Sequence, residues 1–248
     1  MKKILTFALL GLAGAALAQT PGFYPMYRNM PSFAGAGGAG ASYVGDYLNA
    51  GATSGNPLTF TVADDITFAA GSAGTLIHQF WWTVTNHDTA TFTARPRVRF
   101  WADDGAGGGP GTLLAAFSFN PISFTAGTIG AYRTGDLGAS SWAVPANGHM
   151  WAGVLFDNST ATATFSNLNN LGQGIMNDPD IGSSQDEIWI SSTAAANNVN
   201  NPTGTIFTTP FTGIHGNFGW DFDAVPEPTS MAVLGIGVLA LMRRRRSR

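Results

Sequence analysis

Two pairs of adjacent carboxylates are the clearest candidates for chemistry in this 248-residue chain. Asp103 and Asp104 open a glycine-rich stretch, and Asp64 and Asp65 interrupt an alternating pattern upstream of it. Calcium takes six to eight oxygen ligands in tolerant geometry, and carboxylates on a flexible backbone supply them. The sequence therefore suggests a calcium site at Asp103 and Asp104, to which Asp64 or Asp65 adds a ligand if the two segments share an edge. An ordinary turn without metal is the alternative, because Asp and Gly are the commonest hairpin residues.

Tryptophans raise a second possibility, which is sugar binding. Trp81 and Trp82 are adjacent on a predicted strand, so their rings must point to opposite faces of a sheet. Trp101 alternates with Arg97 and Arg99 and is expected on the same face as both. Trp101 and Trp82 therefore form a candidate flat platform for a carbohydrate. The alternative is that both rings are covered by the core or by a loop.

No catalytic residue is predicted. The chain has no cysteine, and its four histidines lie in different predicted elements. It contains no H-E-x-x-H zinc motif, no G-x-S-x-G nucleophile elbow and no phosphate-binding P-loop. We therefore predict that the protein is not an enzyme and needs no cofactor other than the calcium considered above. A secreted hydrolase whose site is assembled from distant residues is the third alternative.

The middle of the chain has the pattern of an all-β protein. From Leu58 onward, apolar residues alternate with threonines, and short runs of this kind are separated by Gly, Asn and Asp. We predict an antiparallel β-sandwich, or jelly-roll-like body, over residues 58–224, with a strand bent or bulged at Pro96. Residues 19–57, rich in Gly, Ala and aromatics, are predicted to be an arm or linker with a first strand at 42–48.

The N-terminus predicts export. Residues 1–3 form a positively charged region with two lysines, and residues 4–16 form an apolar region. Ala16 and Ala18 then form an A-x-A cleavage site. A signal peptidase would therefore remove a signal helix, residues 1–18, and leave Gln19 as the first residue. Residues 19–224 contain five arginines, no lysine and fourteen acidic residues, so the formal charge of this segment is −9. Such a body is not expected to bind nucleic acid.

The C-terminus combines three features in a fixed order. An extended segment is followed by twelve apolar residues, 231–242, and then by basic residues. As a helix the apolar segment would rise about 18 Å, whereas a bilayer core of about 30 Å needs about 20 apolar residues. We therefore predict a short hydrophobic helix that only transiently stops in a membrane, although a tail anchor is an alternative. The extended segment consists of Val225, Pro226, Glu227 and Pro228. The membrane-stop cluster consists of Arg243, Arg244, Arg245 and Arg246.

This order of Pro-Glu-Pro, apolar helix and arginine cluster resembles the PEP-CTERM sorting signal. The resemblance implies cleavage near Pro226–Pro228 by an exosortase-like membrane protease. It further implies delivery to the cell surface or extracellular matrix of a Gram-negative-type bacterium, where exopolysaccharide is a potential partner. In addition, residues 58–156 resemble a β-sandwich module of uncharacterised role in anchored bacterial surface proteins. We expect a structural or adhesive protein without catalytic activity; the alternative is a carbohydrate-binding module, assisted or not by calcium.

Overall fold

The computed structural model describes residues 22–30, 43–159, 162–192, 200, 203–208 and 217–225. The predicted signal-cleavage residues Ala16, Ala18 and Gln19 lie outside these ranges. So do Pro226, Glu227, Pro228 and the arginines Arg243, Arg244, Arg245 and Arg246. Two compact units are distinguished, and one of them, Pro25–Asp223, contains nearly all of the described residues.

Sixteen strands and one five-residue helix occur in the described part of the chain. The helix, α1, spans Phe165–Asn169 and begins at a capping box formed by Thr164 and Asn167. The strands are β1 (Tyr24–Arg28), β2 (Tyr43–Leu48), β3 (Val62–Thr67), β4 (Leu76–Ile77), β5 (Gln79–Asn86), β6 (Phe92–Trp101), β7 (Leu113–Ser118), β8 (Ile122–Phe124), β9 (Thr128–Arg133), β10 (Trp142–Ala143), β11 (His149–Asp157), β12 (Leu171–Met176), β13 (Glu187–Ser191), β14 (Gly204–Thr208), β15 (Asn217–Phe218) and β16 (Trp220–Ala224).

The strands form two seven-stranded sheets and a small two-stranded one. The first sheet has the order β1-β16-β5-β12-β15, with β2 paired to β12 and β9 paired to β5. The second sheet has the order β14-β13-β3-β11-β6-β7, with β8 paired to β6, and β4 pairs with β10. Neighbouring strands run antiparallel. The predicted all-β antiparallel sandwich is thus confirmed.

Aromatic rings fill the space between the two sheets. Phe80 of the first sheet lies 5.0 Å from Phe100 of the second, centroid to centroid. Phe222, also of the first sheet, lies 5.6 Å from Phe100. Edge-to-face pairs of this kind stabilise by about 0.5–1.5 kcal/mol each beyond the burial of their area. This ring cluster holds the two sheets together in a chain that has no cysteine for a disulfide.

The predicted arm contributes strands to the body. β2 lies where the first strand was expected, and β1 lies beside β16 in the first sheet. The side chain of Arg28, at the end of β1, donates to Asp221 on β16. The folded body therefore begins before Leu58, because removing residues 19–57 would remove two strands of the first sheet.

The predicted strand through Pro96 has no bulge at this residue. β6 runs through this residue without interruption, and Pro96 is paired with Phe156 of β11. The carbonyl of Pro96 accepts from the amide of Phe119, between β7 and β8. The N and C=O of a strand residue point to the same side, so the missing N–H of Pro96 also faces this break between the two partner strands. No ladder hydrogen bond is lost there, which removes the usual objection to an internal proline.

Candidate functional site

Asp103 and Asp104 are engaged in holding their own loop. The two carboxylate oxygens of Asp104 accept from the amide and the hydroxyl of Thr112, each at 2.6 Å. These two hydrogen bonds lower the pKa of Asp104. Asp103 accepts from the side-chain amide of Asn147 at 2.7 Å. Thr112 at the end of the loop and Asn147 of a neighbouring segment therefore satisfy both carboxylates.

Asp64 and Asp65 lie within β3 and point to opposite faces of the second sheet. Asp64 is buried between the sheets and accepts from the amide of Phe218 at 2.9 Å. Asp65 accepts from the amide of Gln185 at 2.7 Å and from the hydroxyl of Ser184 at 3.2 Å. Burial raises the pKa of Asp65 to about 7, and burial together with the neighbouring Asp65 raises the pKa of Asp64.

The predicted calcium ligands are not brought together. Within the described ranges, no group of three or more acidic or histidine side chains is placed to hold a metal ion. Asp64 and Asp65 belong to the middle of a strand, whereas Asp103 and Asp104 follow the end of β6. The structure therefore does not bring Asp64 or Asp65 to the loop of Asp103 and Asp104, so the condition for an added ligand is not met.

The predicted sugar platform at Trp101 and Trp82 is also wrong. The exposed fraction is 0% for Trp101 and 2% for Trp82. Trp82 is stacked against Phe119 at 4.9 Å, and the indole nitrogen of Trp101 donates to the carbonyl of Asn200 at 3.0 Å. Coverage by the core or by a loop was the alternative to a platform, and the structure shows Trp82 in the core and Trp101 under a loop.

Trp101 belongs to a second apolar cluster on the outer face of the second sheet. Its members are Ala63, Trp101, Trp151 and Trp189, with Leu113 and Ile206 packed against them. Phe100 faces the sandwich core, so its neighbour Trp101 must face outward. The cluster is closed by loop hydrogen bonds such as that from the Trp151 indole to the carbonyl of Gly108, at 2.9 Å. Both faces of this sheet are thus covered.

The outer face of the first sheet carries an ion-pair cluster. The Nε of Arg28 lies 3.1 Å from both carboxylate oxygens of Asp221, which is fully buried. Asp223 lies 3.9 Å from another nitrogen of Arg28. Burial raises the pKa of Asp221 to about 8, against the lowering effect of Arg28. Alongside, the guanidinium of Arg133 lies 4.8 Å from the ring of Trp81, a cation–π contact.

The described histidines do not form a nucleophile relay. Asp136 and Ser141 both contact His78, but each reaches the same ring nitrogen, Nδ1, at 3.2 and 3.3 Å. A serine triad needs the hydroxyl and the carboxylate on different ring nitrogens. His149 contacts the hydroxyl of Thr67 at 2.8 Å, and His215 lies outside the described residues.

A surface cavity of about 310 Å³ opens at the end of β5, where β9 pairs with β5 and β2 pairs with the neighbouring β12. Its lining residues are Tyr43, Asp46, Thr85, Asn86, His87, Gly127, Thr128 and Ile129. We call it the Tyr43 pocket. Sequence reasoning missed this site, because its walls come from segments that are far apart in the chain and contain no motif.

Two side chains of the Tyr43 pocket contact the same carboxylate oxygen of Asp46. The hydroxyl of Tyr43 donates to Oδ2 of Asp46 at 2.8 Å, and Nε2 of His87 contacts the same oxygen. Burial and the hydrogen bond with Asp46 raise the pKa of Tyr43 to about 12, so its hydroxyl stays protonated. Thr85 is 2% exposed, and its Oγ1 has no hydrogen-bond partner among the described residues. Thr85 therefore carries an unused hydroxyl beside the pocket, although this oxygen is itself closed to solvent.

The described chain ends at Val225, one residue after β16. The sequence across this point, residues 224–246, matches the PEP-CTERM protein-sorting motif. The chain carries a PEP-CTERM sorting signal. The prediction from the Pro-Glu-Pro order is thereby confirmed, and the motif implies export, processing by an exosortase and membrane-associated sorting. None of the helices in the described ranges has the length and apolar character to cross a bilayer.

Comparison with other proteins adds little about the body. No curated protein matches the sequence. Among solved structures, the clostridial cysteine protease Cwp84 after propeptide cleavage is similar, with a TM-score of 0.40 and 13% identity over 77% of this chain. The match covers 38% of that protease's length. At this level of similarity, nothing about the function of the body follows.

Proposed function

We propose that this protein is displayed on the surface or in the extracellular matrix of a Gram-negative-type bacterium, where its β-sandwich has a structural or adhesive role without catalysis. The observation that carries the proposal is the PEP-CTERM motif at residues 224–246, which follows a compact all-β unit. In this account a signal peptidase removes residues 1–18 and an exosortase-like protease acts near Pro226–Pro228. The membrane is a transient partner, and exopolysaccharide is a potential lasting one.

The position of the motif relative to β16 supports release of an intact body. β16 lies between β1 and β5 in the first sheet, and it ends at Ala224. Cleavage at or after Val225 would therefore leave every described strand in place. Cleavage a few residues earlier would remove part of an internal strand and expose the edges of its two neighbours.

The character of the described body supports a non-catalytic role. The tryptophans and phenylalanines of its core are engaged in packing, and its carboxylates hold loops or strands together. The two hydrogen bonds to one nitrogen of His78 do not provide a general base for a serine nucleophile. The charge of −9 keeps the exported domain soluble and disfavours binding to phosphates.

The test is the fate of the C-terminus in living cells. Antibodies against the body and against the terminal arginines are used on fractionated cells, and the intact mass of the body is measured. We expect the surface or matrix fraction to contain the body without its arginines. A body that retains its arginines and stays in the inner membrane would contradict the proposal.

A matched pair of variants separates recognition from general disturbance of the tail. Pro226→Ala with Pro228→Ala removes the extended motif and should leave the protein unprocessed in the membrane fraction. Thr229→Ala, one residue further on, should be processed normally. If both variants behave like the wild type, the Pro-Glu-Pro segment is not the recognition element.

Carbohydrate binding is a second candidate function. It no longer rests on Trp101 and Trp82, which are buried. The Tyr43 pocket favours it instead, because the pocket combines an exposed aromatic ring with several hydroxyl and carboxylate groups.

A further inference from the structure

We propose that the Tyr43 pocket binds one uncharged, hydroxyl-rich unit, such as a neutral sugar residue of a polysaccharide. This proposal deepens the second candidate function above. Only its biological context, contact with an extracellular polysaccharide, rests on the proposed surface location. The pocket volume of about 310 Å³ is at the lower end of the range typical of small-molecule sites, 300–1,000 Å³. It therefore suits a single sugar unit rather than an extended chain.

The first argument is the unused hydrogen-bonding capacity of the Tyr43 pocket. Thr85 is 98% buried, yet its hydroxyl has no partner among the described residues, although it lines the pocket. Buried hydroxyl groups in proteins are nearly always hydrogen-bonded, so Thr85 is an exception beside this cavity, and a rotation of its side chain would present the unused hydroxyl to a ligand. Since a hydroxyl both donates and accepts, a sugar hydroxyl is a fitting partner.

The second argument is the fixed carboxylate of Asp46. Tyr43 and His87 both contact its Oδ2, and the two contacts hold the carboxylate in one orientation. A carboxylate can accept about four hydrogen bonds, so these two leave capacity for ligand hydroxyls. Because the acceptor is charged, such bonds are shorter and stronger than neutral ones. Adjacent hydroxyls on a sugar ring can bind one carboxylate as a pair.

The third argument is the ring of Tyr43. It is 44% exposed, one of few large apolar side chains to be so in the described body, and it lies at the pocket. A partly exposed aromatic ring offers an apolar surface with a polar end, a combination enriched at binding surfaces. The C–H face of a sugar can rest on the ring while its hydroxyls bond to Asp46 and, after rotation of its side chain, to Thr85.

Charge selects against acidic ligands. Asp46 and His87 are the two ionisable side chains that accompany Tyr43 in the lining, and Asp46 is held close to His87. The whole body carries −9, which disfavours uronic acids and phosphates at its surface. We therefore expect selection of neutral over acidic sugars.

The experiment is saturation-transfer NMR on the full chain, purified in mild detergent, with glucose, galactose, mannose, N-acetylglucosamine and glucuronate as probes. We expect saturation of at least one neutral sugar, with a Kd of roughly 1 mM, and none of glucuronate. Thr85→Val keeps the shape of the side chain but removes its hydroxyl, and should weaken binding about fivefold to tenfold. Tyr43→Ala should weaken binding at least tenfold.

Thr83→Val is the matched control, since Thr83 lies on the same strand and the same face but bonds to Gly174 instead of lining the pocket. This variant should bind the sugar like the wild type. No binding of any neutral sugar, preferential binding of glucuronate, or equal binding by Thr85→Val, Tyr43→Ala and the control would each overturn the proposal. These outcomes leave the C-terminal processing experiment untouched, so the two proposals fail separately.

Discussion

The buried carboxyl group of Asp65 makes the stability of this protein depend on pH in a calculable way. Burial raises its pKa from 3.8 to about 7, although the amide of Gln185 and the hydroxyl of Ser184 lower it. In the folded protein the group therefore keeps a proton that the unfolded chain has released above about pH 4. Its contribution to stability is complete in acid and is lost as the pH rises through 7.

The substitution Asp65→Asn removes this titration and keeps the local hydrogen bonds. The amide oxygen can accept from Gln185, and the amide nitrogen can donate to Ser184. Each pH unit over which the folded state holds the extra proton is worth about 1.4 kcal/mol. Between about pH 5 and pH 7 the wild type should therefore lose about 2 kcal/mol of unfolding free energy through this group. Burial, together with the charge of Asp65, also raises the pKa of Asp64, so Asp64 should change the free energy of unfolding with pH in the same sense.

The assay is urea unfolding followed by tryptophan fluorescence at several pH values. Between about pH 5 and pH 7, the free energy of unfolding should decrease by about 2 kcal/mol less in Asp65→Asn than in the wild type. Asp104→Asn is the control, because hydrogen bonds from Thr112 lower the pKa of Asp104 and it stays ionised throughout. Parallel curves for the wild type and Asp65→Asn would refute the argument, since they would show that Asp65 is ionised in the fold.

Three further predictions concern packing, ion pairing and metal. Gly153→Ala should cost about 1–3 kcal/mol of unfolding free energy, because the new Cβ would lie 2.8 Å from the Trp101 ring; Gly135→Ala, with nothing within 4 Å, should cost far less. At about pH 9, above the raised pKa of about 8 of Asp221, Arg28→Ala should lower stability by about 3 kcal/mol because it leaves the ionised Asp221 buried without its cation; adding Asp221→Asn should restore part of this stability, as measured by thermal unfolding. Calcium or a chelator should not change the melting temperature, since the predicted ligands are apart.

The strand pattern predicted the body because alternation is a local property. Residues such as Leu58, Phe60 and Val62 alternate with polar neighbours, and the β-sandwich follows from many segments of this kind. The same rule correctly placed Trp101 on one face with Arg97 and Arg99. It could not show that this face is covered, because coverage depends on distant residues such as Gly108 and Asn200.

The candidate site could not be predicted for a related reason. Tyr43 and Asp46 come from a segment that seemed to be an arm, and His87 and Thr128 come from two other strands or their ends. None of them belongs to a motif, and only sheet pairing places them together. The sorting signal is different in kind: its three parts are contiguous, so their order was readable directly from the sequence.

The pairing of β1 with β16 has a consequence for the timing of export. Arg28 and Asp221 are separated by 193 positions, so β1 cannot pair with β16 until nearly the whole chain has been exported. A chain that crosses the inner membrane from its N-terminus cannot complete its first sheet until almost all of it has emerged on the far side. In the proposed account, residues 231–242 would enter the bilayer at that moment, so final folding and C-terminal cleavage would compete in the same brief interval. A protease that acted too early would meet an incomplete sheet, whereas a membrane pause would give the last strand time to dock.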